Sequence, residues 1–321
     1  MRYVEVGGAR VSAIGLGTWQ FGSREWGYGE DYAGTTAVDI TRRALDLGIN
    51  LIDTAEIYAF GRSERIVGRG IEGRRDEAFV ATKVFPVLPL SSIVQQRALA
   101  SADRLGVKAI DLYQVHWPNP VVPVVTTMRG MARLQRTNVV RHVGVSNFGL
   151  HRWQQADDAL EAPVLSNQVS YSLAVRKPEE ELLPFAQEED RLIIAYSPLA
   201  QGFLSARYDG QNRPGGVRAS NALFLPENIE RGRELLTALR EVATAHGATP
   251  AQVALAWVIH HPNVVAIPGA SSVPQLEANA AAADLELTAD ELERLTQASD
   301  AFEPTTGIAA ARRLIGARLR R

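Results

Sequence analysis

Four polar side chains stand where apolar, strand-like runs give way to loops: Asp53, Tyr58, Lys83 and His116. Asp53 closes the run 50–53 and Tyr58 lies in the loop beyond it; Lys83 closes the run 79–83 and His116 the run 112–116. Each residue alone has an ordinary reading. Asp53 can cap the next segment, Tyr58 can pack, Lys83 can be a surface lysine, and His116 can be a neutral core imidazole. Gathered on three successive strand ends, they are hard to explain as structure. Lys83 follows the apolar stretch 79–82, so its stem is expected to be buried. A buried ammonium is costly unless paired, and Asp53 on the adjacent strand is the natural partner. A tyrosine, with a pKa near 10, is a poor acid–base catalyst at neutral pH. A neighbouring cation stabilises tyrosinate and lowers that pKa. Lys83 would be that cation, Asp53 would keep it protonated, and a neutral His116 would donate a hydrogen bond to a carbonyl oxygen. The result is a proton donor beside a polarised carbonyl. It has no reductant of its own, so a hydride must come from a cofactor.

The elements that must position these groups alternate along the chain. Strand-like runs fall at 14–16, 50–53, 79–83, 112–116, 143–146, 165–169, 192–196 and 264–268, separated by stretches of helical spacing such as 37–47, 93–105 and 179–189. Strict β–α alternation implies parallel strands, because a parallel pair needs a crossover. Eight such units predict a closed (β/α)8 barrel, which takes roughly 250 residues plus insertions. The chain has 321 residues, and residues 1–321 are expected to form one domain. In such a barrel the chemistry lies at the C-terminal ends of the strands, where all four residues fall.

Further features follow from turn and cap chemistry. Tyr3–Val6, Gly7-Gly8 and Ala9–Ser12 predict a tight hairpin before the barrel. The stretch 203–228 is rich in Gly, Pro, Asn and Arg and predicts a long loop after the seventh strand, a length common in functional loops. A helix is expected over 229–246. Another is expected from Thr249-Pro250, and a last one is capped by Thr288 with Glu291. Residues 68–73 match GxGxxG, but they follow a helical stretch and precede a strand, the reverse of a dinucleotide fingerprint; these glycines are expected to end the helix. His260-His261 is a poor metal pair, since neighbours on a helix point apart.

Composition excludes several classes. With 34 basic and 36 acidic residues the net charge is −2, unlike a nucleic-acid or membrane-surface binder. There is no cysteine, so disulfides and thiolate metal sites are excluded, and a cytoplasmic protein is expected. No metal site is expected, no signal peptide is read at the start, and no stretch is long and apolar enough to span a bilayer. The tail 308–321 carries Arg312, Arg313, Arg318, Arg320 and Arg321. It reads as a solvated helix end or, alternatively, as a tail that binds anions or a partner. The oligomeric state is left open.

The sequence resembles the aldo-keto reductases over nearly its whole length, in the branch that holds bacterial members and the potassium-channel β subunits. The motifs are GLGTWQFG at 15–22, DTAEIY at 53–58, ATKV at 81–84, His116-Trp117, VGVSNF at 143–148, NQVSYS at 167–172, AYSPLAQG at 195–202 and IPGAS at 267–271. Their order and spacing are specific together and weak singly. The resemblance implies a catalytic tetrad of Asp53, Tyr58, Lys83 and His116, with Tyr58 the proton donor. It implies NADPH, in preference to NADH, across the C-terminal face. Ser146, Asn147 and Gln168 then match positions that bind the nicotinamide carboxamide, and Tyr196 the position that stacks on its ring. Ser197, Pro198, Leu199 and Gly202 match the pyrophosphate loop, with Arg207 and Arg218 basic positions nearby. Ser271, Gln275 and Asn279 match the adenosine end, and Thr18, Trp19, Asp53 and Gly269 complete the cofactor set. Two departures stand out. Ser271, Ser272 and Gln275 replace the usual cation for the 2′-phosphate, and Ala278 replaces the glutamate before the final asparagine. Trp19, Trp26 and Trp117, with Tyr58 and His116, imply an aromatic-walled pocket for a small carbonyl substrate. Two other readings remain: a Schiff-base lyase using Lys83, and a nucleotide-binding regulatory subunit without turnover.

Overall fold

The computed structural model describes residues 1–23, 32–160, 162–208, 212, 214–305 and 307. It opens with the expected hairpin, β1 (Tyr3–Val6) against β2 (Ala9–Ser12), in register from Tyr3↔Ser12 to Val6↔Ala9. Gly7 and Gly8 turn it with φ of +54° and +78°, the doubly left-handed turn whose twist matches the strands.

Eight parallel strands follow: β3 (Leu16–Gly17), β4 (Leu51–Asp53), β5 (Phe79–Val84), β6 (Ile110–Val115), β7 (Val140–Ser146), β8 (Ser166–Ser170), β9 (Leu192–Tyr196) and β10 (Val264–Ala266). Each is hydrogen-bonded to the next in chain order. The ring closes between its last and first strands. Gly15 N donates to Ala266 O at 2.7 Å, Ala266 N to Ala13 O at 2.9 Å, and Gly17 N to Pro268 O at 3.1 Å. A Cβ on Gly17 would lie 2.6 Å from Ile267 O, so only glycine permits this approach. The architecture is the expected (β/α)8 barrel. The helices are α1 (Ala37–Asp46), α2 (Arg62–Ile71), α3 (Ser91–Leu105), α4 (Val124–Arg136), α5 (Leu150–Leu160), α6 (Leu182–Glu188), α7 (Pro226–Arg231), α8 (Arg233–Ala245), α9 (Pro250–Val258), α10 (Val273–Ala281) and α11 (Ala289–Asp300).

The core has two shells. The larger lies between strands and helices. The smaller fills the barrel with Leu51, Ala81, Leu112, Leu192 and Val265, and the hairpin adds Val6, Ala9 and Val11, so the hairpin plugs the N-terminal end. Side chains two apart on a strand share a face. Asp53 therefore follows Leu51 inward, Lys83 follows Ala81, and Gln114 follows Leu112. The interior turns from apolar to polar as the strands rise, and this gradient places the site.

Some elements differ from the sequence reading. The helix expected over 229–246 is interrupted at Gly232, where a Cβ would meet Phe203 Cζ at 2.6 Å. The stretch 179–189 resolves into a short 3-10 turn, Lys177–Glu179, and α6. The loop after β9 contains 3-10 turns at Gly216–Ser220 and Ala222–Phe224. Of the GxGxxG glycines only Gly73, at φ +77°, follows a helix end. Gly68 and Gly70 lie inside α2, where a Cβ would meet Leu105 O at 2.7 Å and Thr41 Cγ2 at 2.4 Å respectively. They serve helix packing. Both capping boxes form, Thr249 with Gln252 and Thr288 with Glu291. Among the described residues no helix is long and apolar enough to cross a membrane. Trp26 and the tail 308–321 lie outside the described residues.

Candidate active site

The four expected residues meet at the C-terminal mouth of the barrel. Lys83, fully buried at the end of β5, donates to Asp53 Oδ1 at 2.8 Å, to Asp53 Oδ2 at 2.6 Å and to Thr54 O at 2.9 Å. Three donors thus meet three acceptors, and Tyr58 Oη stands 3.4 Å from the same nitrogen. Saturation by a carboxylate keeps the amine charged, which removes the free amine a Schiff base needs. Burial alone would lower the Lys83 pKa, but the charge of Asp53 and the hydrogen bonds to Asp53 and Tyr58 reverse this and raise it. Burial raises the Asp53 pKa, against the pull of Lys83 and of the amide of Gln168, which donates to Oδ1 at 2.7 Å.

The tuning of Tyr58 corrects the sequence reading. Its pKa is raised, because burial outweighs the attraction of Lys83 and the nearby Asp53 charge works against that attraction. The cation limits the rise without bringing the phenol toward neutrality, so Tyr58 keeps its proton at neutral pH. His116 sits edge-on to Tyr58 with ring centres 5.9 Å apart, and Phe85 is edge-on to His116 at 6.0 Å. Burial first, then Lys83, drives the His116 pKa to about 3. The imidazole is neutral, as expected, and its buried Nδ1 has no partner among the described residues.

The residues assigned to a nucleotide form three groups on this face. In the first, Ser146 Oγ donates to Gln168 O at 2.9 Å, and Asn147 Nδ2 donates to Ser146 Oγ at 3.0 Å and to His116 O at 3.1 Å. Tyr196 Oη donates to Asn147 Oδ1 at 2.9 Å. The second is the loop after β9, left-handed at Ser197, Ala200, Gln201 and Gly202. Backbone of this kind makes concavities that present N–H groups to anions. Arg207 reaches the same loop, its guanidinium 3.7 Å from where a Cβ on Gly202 would lie. Gln201 Oε1 is buried there without a partner among the described residues. In the third, at the start of α10, Ser271 N and Oγ donate to Gln275 Oε1 at 2.8 and 2.9 Å, and Ser272 caps the helix. Asn279 Nδ2 donates to Gly269 O at 3.3 Å. Thr18 is placed differently: its hydroxyl is buried in the wall, donating to Asp53 O at 2.9 Å and paired with Ser63 Oγ at 2.8 Å. Trp19 and Trp117 are both exposed at the mouth.

Some contributors were not singled out from sequence. Gln114 lies on the inner face two residues before His116, fully buried, its amide favouring the ionised form of Asp53. Phe85 walls His116, and Glu56, two residues before Tyr58, accepts from Phe85 N at 2.5 Å. The period-two alternation of β6 could have found Gln114. Phe85 needed the ring contact itself.

The chain matches the Aldo/keto reductase family over residues 13–300. An uncharacterised oxidoreductase of Mycobacterium tuberculosis is 55% identical over 307 residues, covering 95% of each chain. A methylglyoxal reductase of Escherichia coli is 33% identical over 94% of this chain and 96% of its own. Among solved structures, an aldo-keto reductase of Klebsiella pneumoniae in complex with NADPH superposes with a TM-score of 0.75 at 32% identity, covering 95% of this chain and 96% of that one. Sequence, barrel and the gathered tetrad converge: the protein belongs to the aldo/keto reductase family of oxidoreductases.

Proposed function

We propose that this protein reduces aldehydes and ketones to alcohols with NADPH, Tyr58 giving the proton to the carbonyl oxygen. The observation that carries the reading is the buried chain from Asp53 through Lys83 to Tyr58, with a neutral imidazole beside the phenol. Ser146, Asn147 and Gln168 would hold the carboxamide and Tyr196 the face of the nicotinamide. The Ser197–Gly202 backbone with Arg207 and Arg218 would hold the pyrophosphate. Gly269, Ser271, Gln275 and Asn279 would hold the adenosine end. The concave, left-handed backbone after β9, with the Arg207 guanidinium beside it, fits an anionic ligand there. When bound, NADPH supplies a hydride to the carbonyl carbon.

The chain's own residues do the rest. His116 donates a hydrogen bond to the carbonyl oxygen and fixes its position. Tyr58, still a phenol at neutral pH, passes its proton to that oxygen as negative charge builds on it. Lys83 stabilises the tyrosinate left behind, and Asp53 holds Lys83 charged and in place. Nucleotide preference rests on Ser271 and Gln275 at the start of α10, where the helix dipole favours a phosphate.

Fluorescence titration with NADPH and NADH, followed by nucleotide consumption across a panel of aldehydes and ketones, tests this. Tighter binding of NADPH and stoichiometric alcohol formation are expected. Equal affinities would remove the phosphate assignment, and no consumption with any carbonyl would remove the activity.

A further inference from the structure

Eight of the eleven large apolar side chains exposed among the described residues lie on four consecutive loops, those after β3, β4, β5 and β6. These loops surround Tyr58 and His116. Exposed apolar residues scattered singly need no explanation, but their concentration on one face does. Much of this rim is also free of charge: the segments 57–61, 84–90 and 116–125 contain no Asp, Glu, Lys or Arg.

Two of these residues are held in a conformation that a Cβ disfavours. Phe60 has φ +54° and is 95% exposed; Leu88 has φ +46° and is 61% exposed. Left-handed backbone is uncommon for bulky residues, and such strain gathers where function requires it. Neither side chain gains core burial in return. Both loops are fixed in place. Glu56 accepts from Phe85 N at 2.5 Å and from Arg97 Nε at 3.0 Å, and Arg97 also donates to Phe85 O at 2.7 Å. Asn119 ties the loop after β6 to the loop after β5 by donating to Pro86 O at 2.8 Å. The clamped wall continues directly into the reacting groups, because Phe85 packs on His116 and His116 on Tyr58.

We infer that Phe60 and Leu88 are specificity-determining residues, and that the preferred substrates carry the carbonyl on a large apolar group lying against this uncharged rim. The inference rests on the reductase reading and names its substrate class. Small polar carbonyls would react at the same tetrad without using the rim.

The test measures kcat and KM with NADPH for the straight-chain aldehydes from propanal to decanal and for methylglyoxal. It compares wild type with Phe60→Asn and Leu88→Asn. Asparagine tolerates the left-handed backbone, so both variants are expected to fold, which circular dichroism and gel filtration check. For wild type, kcat/KM should rise by up to roughly fourfold per added methylene. Each variant should lose roughly tenfold in kcat/KM for decanal, mainly through KM, and keep its methylglyoxal kinetics. A flat chain-length series, or equal losses for methylglyoxal and decanal, overturns the inference. So does a change in the protein's mass in solution without a change in specificity, which would make the rim a contact between copies. If wild type consumes NADPH with no aldehyde at all, the reductase reading falls as well; the other failures leave that reading standing.

Discussion

Lys83 carries its charge where water does not reach, and the surrounding chemistry follows from that. Asp53 must be ionised to hold it, Gln168 must donate to Asp53 to stabilise that ionisation, and Tyr58 receives only what remains of the cation's field. A pair of this kind is costly to break. Lys83→Met leaves a buried carboxylate without its counter-charge and should lower the unfolding free energy by about 3–5 kcal/mol. The double variant Asp53→Asn, Lys83→Met should recover a good part of this while remaining inactive. Urea denaturation reads both; a single variant costing less than about 1 kcal/mol would show that the pair is not closed off from water. The tetrad was legible in sequence because Asp53, Lys83 and His116 end apolar runs and Tyr58 lies in the loop just beyond one of them. The direction of the Tyr58 shift was not, since it depends on how deeply the phenol is buried and on the Asp53 charge beside it.

At the level of elements, the strands were legible and the helix packing less so. Parallel strands covered on both sides leave short apolar runs, and all eight could be placed. Helix boundaries depended on neighbours. Gly232 splits the expected long helix because the ring of Phe203 presses on it. Gly68 and Gly70 sit inside α2 because the last turn of α3 and Thr41 of α1 come too close for a methyl group. No pattern within α2 itself announces either contact. Gly68→Ala would place a Cβ 2.7 Å from a backbone oxygen that cannot swing away. It should cost about 1–3 kcal/mol with little effect on nucleotide binding. A melting temperature equal to wild type would mean that α2 and α3 shift apart freely.

On the scale of the whole molecule, closure of the barrel is what makes a site from residues far apart in the chain. Gln168 reaches Asp53 across a separation of 115 residues. The hairpin seals one end of the barrel, the interior becomes polar toward the other, and the tetrad lies where the two meet the loops. Sequence alone gave the C-terminal face as the site, because β/α barrels carry chemistry there. It could not show that Gln168, proposed for the cofactor, also supports Asp53, because that depends on how β8 faces β4 across the barrel, or that Thr18 turns its hydroxyl into the wall, because that depends on where Ser63 packs. The central claim is that the phenol of Tyr58 delivers the proton. The most direct measurement compares Tyr58→Phe with wild type for NADPH consumption with an aldehyde and, separately, for NADPH affinity. The account predicts loss of nearly all turnover, a fall of at least about a hundredfold, with nucleotide binding close to wild type. Near-native turnover in the phenylalanine variant would contradict it.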